Sequence, residues 1–213
     1  RSSDLTSGTI AKGRIVACAL VLTFIGISVY CGIAAWKWKS DFYEWVESRP
    51  MQTTVDLTTP SKHSTVFKQT CAMAHGQSIY VAYDSPDVND DNIAEHFAGL
   101  KGAVTIRDQT GAEVLSKPFD ASTVQLWGDD PMLVGFYPFA NGDYTAEIEI
   151  QQGASQIGGT QHEIYARNEL CGLELMPAYV LGAISAIASL IACVVAYYTV
   201  PLIARHGLRV QLL

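Results

Sequence analysis

Two long apolar runs stand near the two ends of the chain, Ile15 to Trp36 and Leu175 to Ala204, and neither contains Asp, Glu, Lys, Arg or His. A helix crosses a bilayer with about 20 consecutive apolar residues. Both runs are long enough, so the sequence predicts transmembrane helices at residues 15–36 and 175–204. The first run also exceeds the apolar stretch of roughly 7 to 15 residues in a cleavable signal peptide, and we interpret it as a retained anchor.

Between the spans, polar and apolar or β-branched positions alternate in short runs, a pattern typical of half-buried β-strands. In Tyr144–Ile150, for example, every second residue is apolar and the residues between are Thr145, Glu147 and Glu149. Nine runs fit the pattern: Thr53–Leu57, Ser64–Gln69, Ser78–Tyr83, Ala103–Asp108, Glu113–Ser116, Thr123–Trp127, Met132–Tyr137, Tyr144–Ile150 and Gln161–Ala166. This number of short strands favours an antiparallel β-sandwich, immunoglobulin-like or jelly-roll-like, with one helical insertion at Asp91–Leu100.

The stretch Phe139–Tyr144 resembles the turn and tyrosine that precede a late strand of immunoglobulin-like and related sandwiches. In those folds the tyrosine hydroxyl bonds back to the backbone, and the resemblance implies the same here. Position 146 is Ala, where immunoglobulin domains have Cys, so the resemblance concerns the fold class and no particular family.

These elements predict a membrane-anchored all-β protein. Its segments are a cytoplasmic N-terminal piece (residues 1–14), the first span (15–36), a juxtamembrane amphipathic segment (37–52), the exported β-sandwich (53–170), the second span (175–204) and a cytoplasmic tail (205–213). Aromatic residues interleave with Lys37 and Lys39 just after the first span, as expected where a helix leaves the hydrocarbon.

Charge predicts the orientation. Both flanks are basic, with Arg1, Lys12 and Arg14 against Asp4 before the first span and two arginines without an acid after the second. Short basic flanks stay in the cytoplasm. The middle holds nine Lys and Arg against twenty Asp and Glu, which disfavours nucleic acid as a partner. No Asn-x-Ser/Thr sequon is present, consistent with a bacterial periplasm. We therefore expect a multi-pass protein of the bacterial inner membrane with a periplasmic middle.

The cysteines divide by environment. Cys18, Cys31 and Cys193 fall inside the spans, whereas Cys71 and Cys171 belong to the exported domain. Two thiols in an oxidising compartment are most simply a disulfide, so we predict a bridge between Cys71 and Cys171.

Residues Cys71, Met73 and His75 alternate, and on an extended strand all three would face one way. Their soft donor atoms suit copper. The alternative is a disulfide cysteine, a core methionine and a surface histidine, and it is the reading we favour. We therefore assign no metal and no cofactor.

The chain contains no phosphate-binding glycine loop, Gly-x-Ser-x-Gly elbow, His-Glu-x-x-His pair or Cys-x-x-Cys pair. Neither span carries an ionisable residue of the kind that lines proton or ion pathways. We accordingly expect a protein that is not an enzyme.

In the second span, small residues recur at alternating steps of four and three: Gly182, Ala186, Ser189, Cys193 and Ala196. We call them the small-residue stripe. Such stripes let transmembrane helices approach closely. The stripe predicts contact with other membrane subunits or self-association, the alternatives being packing of the two spans on each other or contact with lipid.

The function that these patterns favour is an accessory, scaffolding or assembly subunit of a larger membrane complex, with the periplasmic sandwich making protein contacts. Two alternatives remain open: a membrane-anchored periplasmic module that binds a ligand or copper, and an oligomeric channel built from two-span subunits.

Overall fold

The computed structural model describes residues 3–83, 88–159 and 161–207. It divides into two compact units, one containing residues up to 42 and from 175 onwards, and the other residues 43–174.

The described residues form three α-helices: α1 (Ser3–Glu47), α2 (Ile93–His96) and α3 (Met176–His206). Two segments are long and apolar enough to cross a membrane: Gly13–Glu47 within α1, and Leu173–Arg205, which combines a 3-10 turn (Leu173–Leu175) with most of α3. Helix α1 continues without a break through the aromatic residues that follow the first apolar run. Helix α2 is shorter than the predicted insertion.

Nine β-strands are found in the described part of residues 43–174, and each overlaps one of the nine predicted runs. They are β1 (Gln52–Val55), β2 (Ser61–Gln69), β3 (Gly76–Val81), β4 (Lys101–Arg107), β5 (Glu113–Asp120), β6 (Gln125–Trp127), β7 (Asp130–Phe136), β8 (Gly142–Gln152) and β9 (His162–Glu169).

The strands form two antiparallel sheets, in the orders β1-β9-β3-β7-β6 and β2-β8-β4-β5. The pairings are nested: β1 with β9, β2 with β8, β3 with β7, and β4 with β5. Nested pairing of this kind is compatible with a sandwich of the jelly-roll type. It differs from the immunoglobulin order, in which the first two strands share a sheet.

One hydrophobic core lies between the sheets, because both contribute fully buried residues to the same cluster. In β8 the predicted alternation is confirmed: Ala146, Ile148 and Ile150 are buried, and the glutamates between them are partly exposed. Burying one large aliphatic side chain contributes roughly 1.5 to 3 kcal/mol.

The bond implied by the resemblance at Phe139–Tyr144 is present. The hydroxyl of Tyr144, at the start of β8, donates to the carbonyl oxygen of Ala140 at 2.9 Å. The Tyr144 ring also packs on Phe139 and Phe67, with ring centroids 5.3 and 6.4 Å away. The turn is thus fixed to the core.

The chain between α1 and β1 is bonded to the β domain. The amide of Lys68 donates to Pro50, and that of Ala166 donates to Met51, at 2.8 and 2.9 Å. The side-chain amide of Asn168 donates to the hydroxyl of Ser48 at 3.0 Å. The end of the juxtamembrane segment, residues 48–51, is therefore bonded into the β domain.

Candidate functional site

Cys71, Met73 and His75, which were considered as copper ligands but not favoured, do not lie on one strand face. Residues 72 and 73 form a turn, closed by a bond from the amide of Ala74 to the carbonyl of Cys71. Cys71 is consequently buried, whereas Met73 and His75 are exposed. The copper alternative required an extended strand, and the segment turns instead. The favoured reading is correct for the surface position of His75, but Met73 is exposed and so is not a core residue, and Cys71 is free. Among the described residues, no group of three or more His, Cys, Asp and Glu is placed to hold a metal ion.

The predicted disulfide is also absent. All five cysteines fall within the described residues, and all are free. The thiol of Cys171 lies 3.7 Å from both carboxylate oxygens of Glu174. Cys71 lies inside the domain, where burial, reinforced by the charge of Glu174, raises the pKa of its thiol. The exposed Cys171 is thus directed to the buried side chain of Glu174, while Cys71 is enclosed by the domain.

Helices α1 and α3 run antiparallel. Arg14 of α1 donates to the carbonyl of Gly207 at 2.9 Å, and Ser28, about four helical turns further along α1, meets Ser185 and Ser189. The hydroxyls of Ser28 and Ser189 are 2.6 Å apart, and the Ser185 hydroxyl donates to the Ser28 carbonyl at 2.8 Å. Serine hydrogen bonds of this kind join helices within a membrane.

The burial of side chains defines the contact face of the pair, which we call the seam. The seam follows alternating steps of three and four residues on both helices, the spacing typical of left-handed helix pairs. On α1 it contains Val21, Phe24, Ser28, Cys31, Ala35, Trp38 and Phe42, and on α3 it contains Ala178, Leu181, Ser185, Ala188, Ala192, Val195 and Thr199.

The small-residue stripe lies beside the seam, displaced by about one position. Ala186, Ser189 and Cys193 are exposed in the chain, and Gly182 and Ala196 are partly buried. A Cβ added to Gly182 would meet no atom within 4 Å. The packing of the two spans on each other therefore leaves most of the stripe uncovered.

Part of the stripe lines a groove between the two helices. The groove has a volume of about 280 Å³. Its lining is apolar or small: Val21, Ile25, Ser28 and Val29 from α1, and Ser189, Ala192, Cys193 and Ala196 from α3. Both helices thus contribute to one concave surface within the apolar unit.

A second site, which we did not predict, lies on the outer face of the five-stranded sheet. The rings of Tyr80 and Tyr165 are stacked with centroids 5.6 Å apart and planes inclined by 22°. Arg49 covers Tyr165, its guanidinium carbon 4.2 Å from the ring centroid, and Arg167 covers Tyr80 at 4.7 Å. We call these four residues the tyrosine column. Each arginine is attracted to the face of the ring below it.

Carboxylates fix the column at its edges. The Tyr80 hydroxyl donates to Glu169, the Tyr165 hydroxyl donates to Asp130, and Arg49 pairs with Glu163. Burial, followed by the bond to Glu169, raises the pKa of Tyr80 to about 12. Burial and the bond to Asp130 raise the pKa of Tyr165 as well. Both phenols are protonated at neutral pH and so donate these two hydrogen bonds. The bonds join β3 to β9 and β9 to β7, so the column links neighbouring strands.

The sequence contains a partial signal for the column. Glu163, Tyr165, Arg167 and Glu169 alternate along β9 and therefore share one face. Tyr80 comes from a strand 85 positions earlier, and only the pairing of β3 with β9 sets it opposite Tyr165.

A cavity of about 410 Å³ opens on the same sheet, next to Glu169 of β9. Its floor and walls come from β3 and β7, from Lys117 of β5, from the end of β6 and from the adjoining turns. The lining residues are His75, Gly76, Gln77, Ser78, Lys117, Trp127, Met132, Gly135, Phe136, Tyr137 and Glu169.

Comparison with known proteins adds little. No family model matches the chain, and no curated protein matches it. A crystal structure of a protein from Sulfurospirillum deleyianum is similar over 57% of this chain and 98% of that one, with 9% sequence identity and a TM-score of 0.42. Likeness at this level carries no inference about function, so the residues of this chain must supply it.

Proposed function

We propose that the protein is a non-catalytic accessory or scaffolding subunit of a larger membrane complex. In this proposal α1 and α3 cross the inner membrane of a bacterium, both chain ends face the cytoplasm, and the β domain makes protein contacts in the periplasm. The basic flanks and the two long apolar helices support this placement.

The observation that carries the proposal is the uncovered small-residue stripe beside the groove. Hydrophobicity does not distinguish a helix from lipid, so helices in membranes associate where small residues allow close backbone approach. The two spans pack through the seam, and Ser189, Cys193 and Ala196 remain on the groove wall. The occupant that fits is a transmembrane helix of another subunit, lying in the groove against this wall.

The phenols of the tyrosine column support a non-catalytic role. Their hydroxyls are bonded to Glu169 and Asp130, and the two arginines cover their rings. The column is suited to keeping the sheet rigid, which is what a scaffold requires.

The test is recovery of partner proteins after mild detergent extraction. Cys193→Leu places a larger side chain on the groove wall, at an overpacking cost of roughly 1 to 3 kcal/mol. Since each 1.4 kcal/mol is about tenfold in an equilibrium, partner recovery should fall several-fold or more. Ala186→Leu, on the exposed part of the stripe, tests whether the contact extends beyond the groove.

The matched control is Val194→Leu, because Val194 is exposed next to Cys193 and does not line the groove. It should leave recovery unchanged at equal expression. If Cys193→Leu and Val194→Leu recover the same partners in the same amounts, the groove is not the subunit interface and the proposal fails.

A further inference from the structure

The floor of the cavity beside β9 contains two glycines, Gly76 and Gly135, which lie within strands of the sheet. Gly135 of β7 pairs with Ser78 of β3, and Gly76 pairs with Glu169. The backbone of Gly135 does not have the positive φ that favours glycine. A Cβ there would lie 3.4 Å from the Ser78 hydroxyl and 3.8 Å from the Met132 sulfur, so a side chain would fit. Glycine inside a strand weakens it and often marks the close approach of a ligand.

The walls of the cavity carry exposed aromatic rings. Trp127, at the end of β6, is 56% exposed, and Tyr137, just after β7, is 84% exposed. Met132 and Phe136 complete the apolar lining. Rings of this size bury a large area when a flat partner lies on them, so the wall is suited to a ligand with a flat apolar face.

Polar groups stand at both sides of the cavity. The ammonium of Lys117 donates to the carbonyl of Gly135 at 2.8 Å and reaches the rim from β5. The carboxylate of Glu169 lines the opposite side and accepts from Tyr80. The lining thus contains one ammonium and one carboxylate, and the carboxylate of Glu169 also lies 3.8 Å from the guanidinium of Arg167. The hydroxyl of Ser78 is a further donor and acceptor.

These features exclude several classes of ligand. A free anion would meet Glu169 in a domain that carries an excess of acids, and a free cation would meet Lys117. Addition of a partner's β-strand along β7 is blocked, because Lys117 already occupies the Gly135 carbonyl at that edge. A neutral ligand that has an apolar face and an edge of hydroxyl groups satisfies all the groups present.

We propose that this cavity binds a neutral saccharide of one or two rings, which stacks on Trp127 and directs its hydroxyls to Lys117, Glu169 and Ser78. The volume agrees, since pockets that bury small ligands measure about 300 to 1,000 Å³. The site lies outside the helices, so the proposal stands independently of the membrane groove.

The test is calorimetric titration of the full chain, purified in a detergent whose headgroup is not a sugar. The probes are glucose, galactose, mannose, N-acetylglucosamine, cellobiose and maltose, with glucuronate as the charged comparison. At least one neutral saccharide should bind with a dissociation constant of about 1 mM or tighter, and glucuronate should bind more weakly than glucose.

Two variants assign the binding to the cavity. Gly135→Leu fills the floor, and Trp127→Ala removes an exposed ring, so that the second variant remains informative if the first misfolds. Each should weaken the affinity about tenfold or more, equivalent to about 1.4 kcal/mol. Ala103→Leu places a leucine on the outer face of β4 in the other sheet and should leave the affinity unchanged. Absence of binding by every neutral saccharide, tighter binding of glucuronate than of glucose, or binding unaffected by both cavity variants would each overturn the proposal.

Discussion

At the scale of single residues, the tyrosine column shows how polar side chains are buried on the outer face of a sheet. Tyr80 and Tyr165 are 0% and 4% exposed, although neither belongs to the hydrophobic core cluster. The arginines cover the two rings, and the carboxylates accept from the two hydroxyls. Every buried polar group of the two tyrosines therefore has a partner, as burial requires.

The column predicts a loss of stability at high pH. The pKa of Tyr80 is raised from 10.0 to about 12 in the folded chain, so the folded state holds this proton more tightly than the unfolded state. The resulting stabilisation is complete below pH 10.0 and is lost as the pH rises towards about 12. Thermal melting at stepped pH should show the midpoint falling in that window.

Tyr80→Phe should reduce this alkaline fall, since the titrating hydroxyl is gone. Tyr137→Phe, at an exposed position outside the column, is the control and should melt like the parent chain at each pH. If the melting midpoint falls equally at alkaline pH in the parent chain and in Tyr80→Phe, Tyr80 is not the cause of the fall.

The two cysteines of residues 43–174 give a second prediction at this scale. Both are free, so alkylation of the denatured chain without a reductant should modify both, as peptide mass spectrometry would reveal. In the native chain Cys171 should react much faster, because it is exposed, whereas Cys71 is buried and the raised pKa of its thiol lowers the thiolate fraction. Recovery of a cross-linked peptide containing both cysteines would contradict the free-thiol structure.

At the scale of elements, the two helices show that small residues and the contact face need not coincide. Small residues recur on α3 at a helical spacing, and so do the seam residues, one position away. Ala188 and Ala192 in the seam are 4% and 5% exposed, while Ala186 and Cys193 in the stripe are exposed. Packing of the pair is set by the seam, where Ser28 and Ser185 form their hydrogen bonds.

Enlarging a seam residue should therefore separate the helices. Ala188→Leu should destabilise the pair by about 1 to 3 kcal/mol through overpacking. Ala183→Leu is the matched control, because Ala183 is exposed on the same helix. The reporter is Cys31, which is 8% exposed in the seam of α1 and should react faster with a membrane-permeant maleimide when the seam opens. Equal Cys31 labelling rates in Ala188→Leu and Ala183→Leu would contradict the assignment of Ala188 to the contact face of the two helices.

At the scale of the whole molecule, charge separates the chain into basic ends and an acidic middle. The flanks of the apolar runs carry an excess of Lys and Arg, and residues 37–174 carry twenty acids against nine bases. Short basic flanks are retained on the cytoplasmic side, while long domains translocate largely regardless of charge.

This distribution predicts that residues 37–174 lie outside the cytoplasm. In a Cys171→Ser background, an impermeant maleimide applied to intact cells or spheroplasts should label a cysteine placed at Gln156 and miss one placed at Ser7 or Gln211. Cys71 contributes little background because it is buried. Labelling at Ser7 and Gln211 but not at Gln156 would reverse the orientation.

The sequence by itself determined the elements. All nine predicted strands and both long apolar helices appear at their expected places, because alternation with period two and uninterrupted apolar length are local properties of the chain. The bond from Tyr144 to Ala140 was implied by the resemblance of Phe139–Tyr144 to the turn of immunoglobulin-like sandwiches, and the structure contains it.

Only the tertiary structure decided which elements meet. The nested strand pairing, the Tyr80 and Tyr165 stack and the cavity around Gly135 each join residues distant in sequence, and no local pattern ranks the possible partners. The disulfide prediction failed for the same reason, since Cys71 is enclosed by the domain while Cys171 is exposed. The copper alternative, which was not favoured, required an extended strand where residues 72 and 73 form a turn. On α3, the sequence showed which residues are small and so identified the stripe. The contact face also depends on how well it fits the opposing surface of α1, and the sequence of one helix does not show that fit. Only the structure could therefore identify the seam.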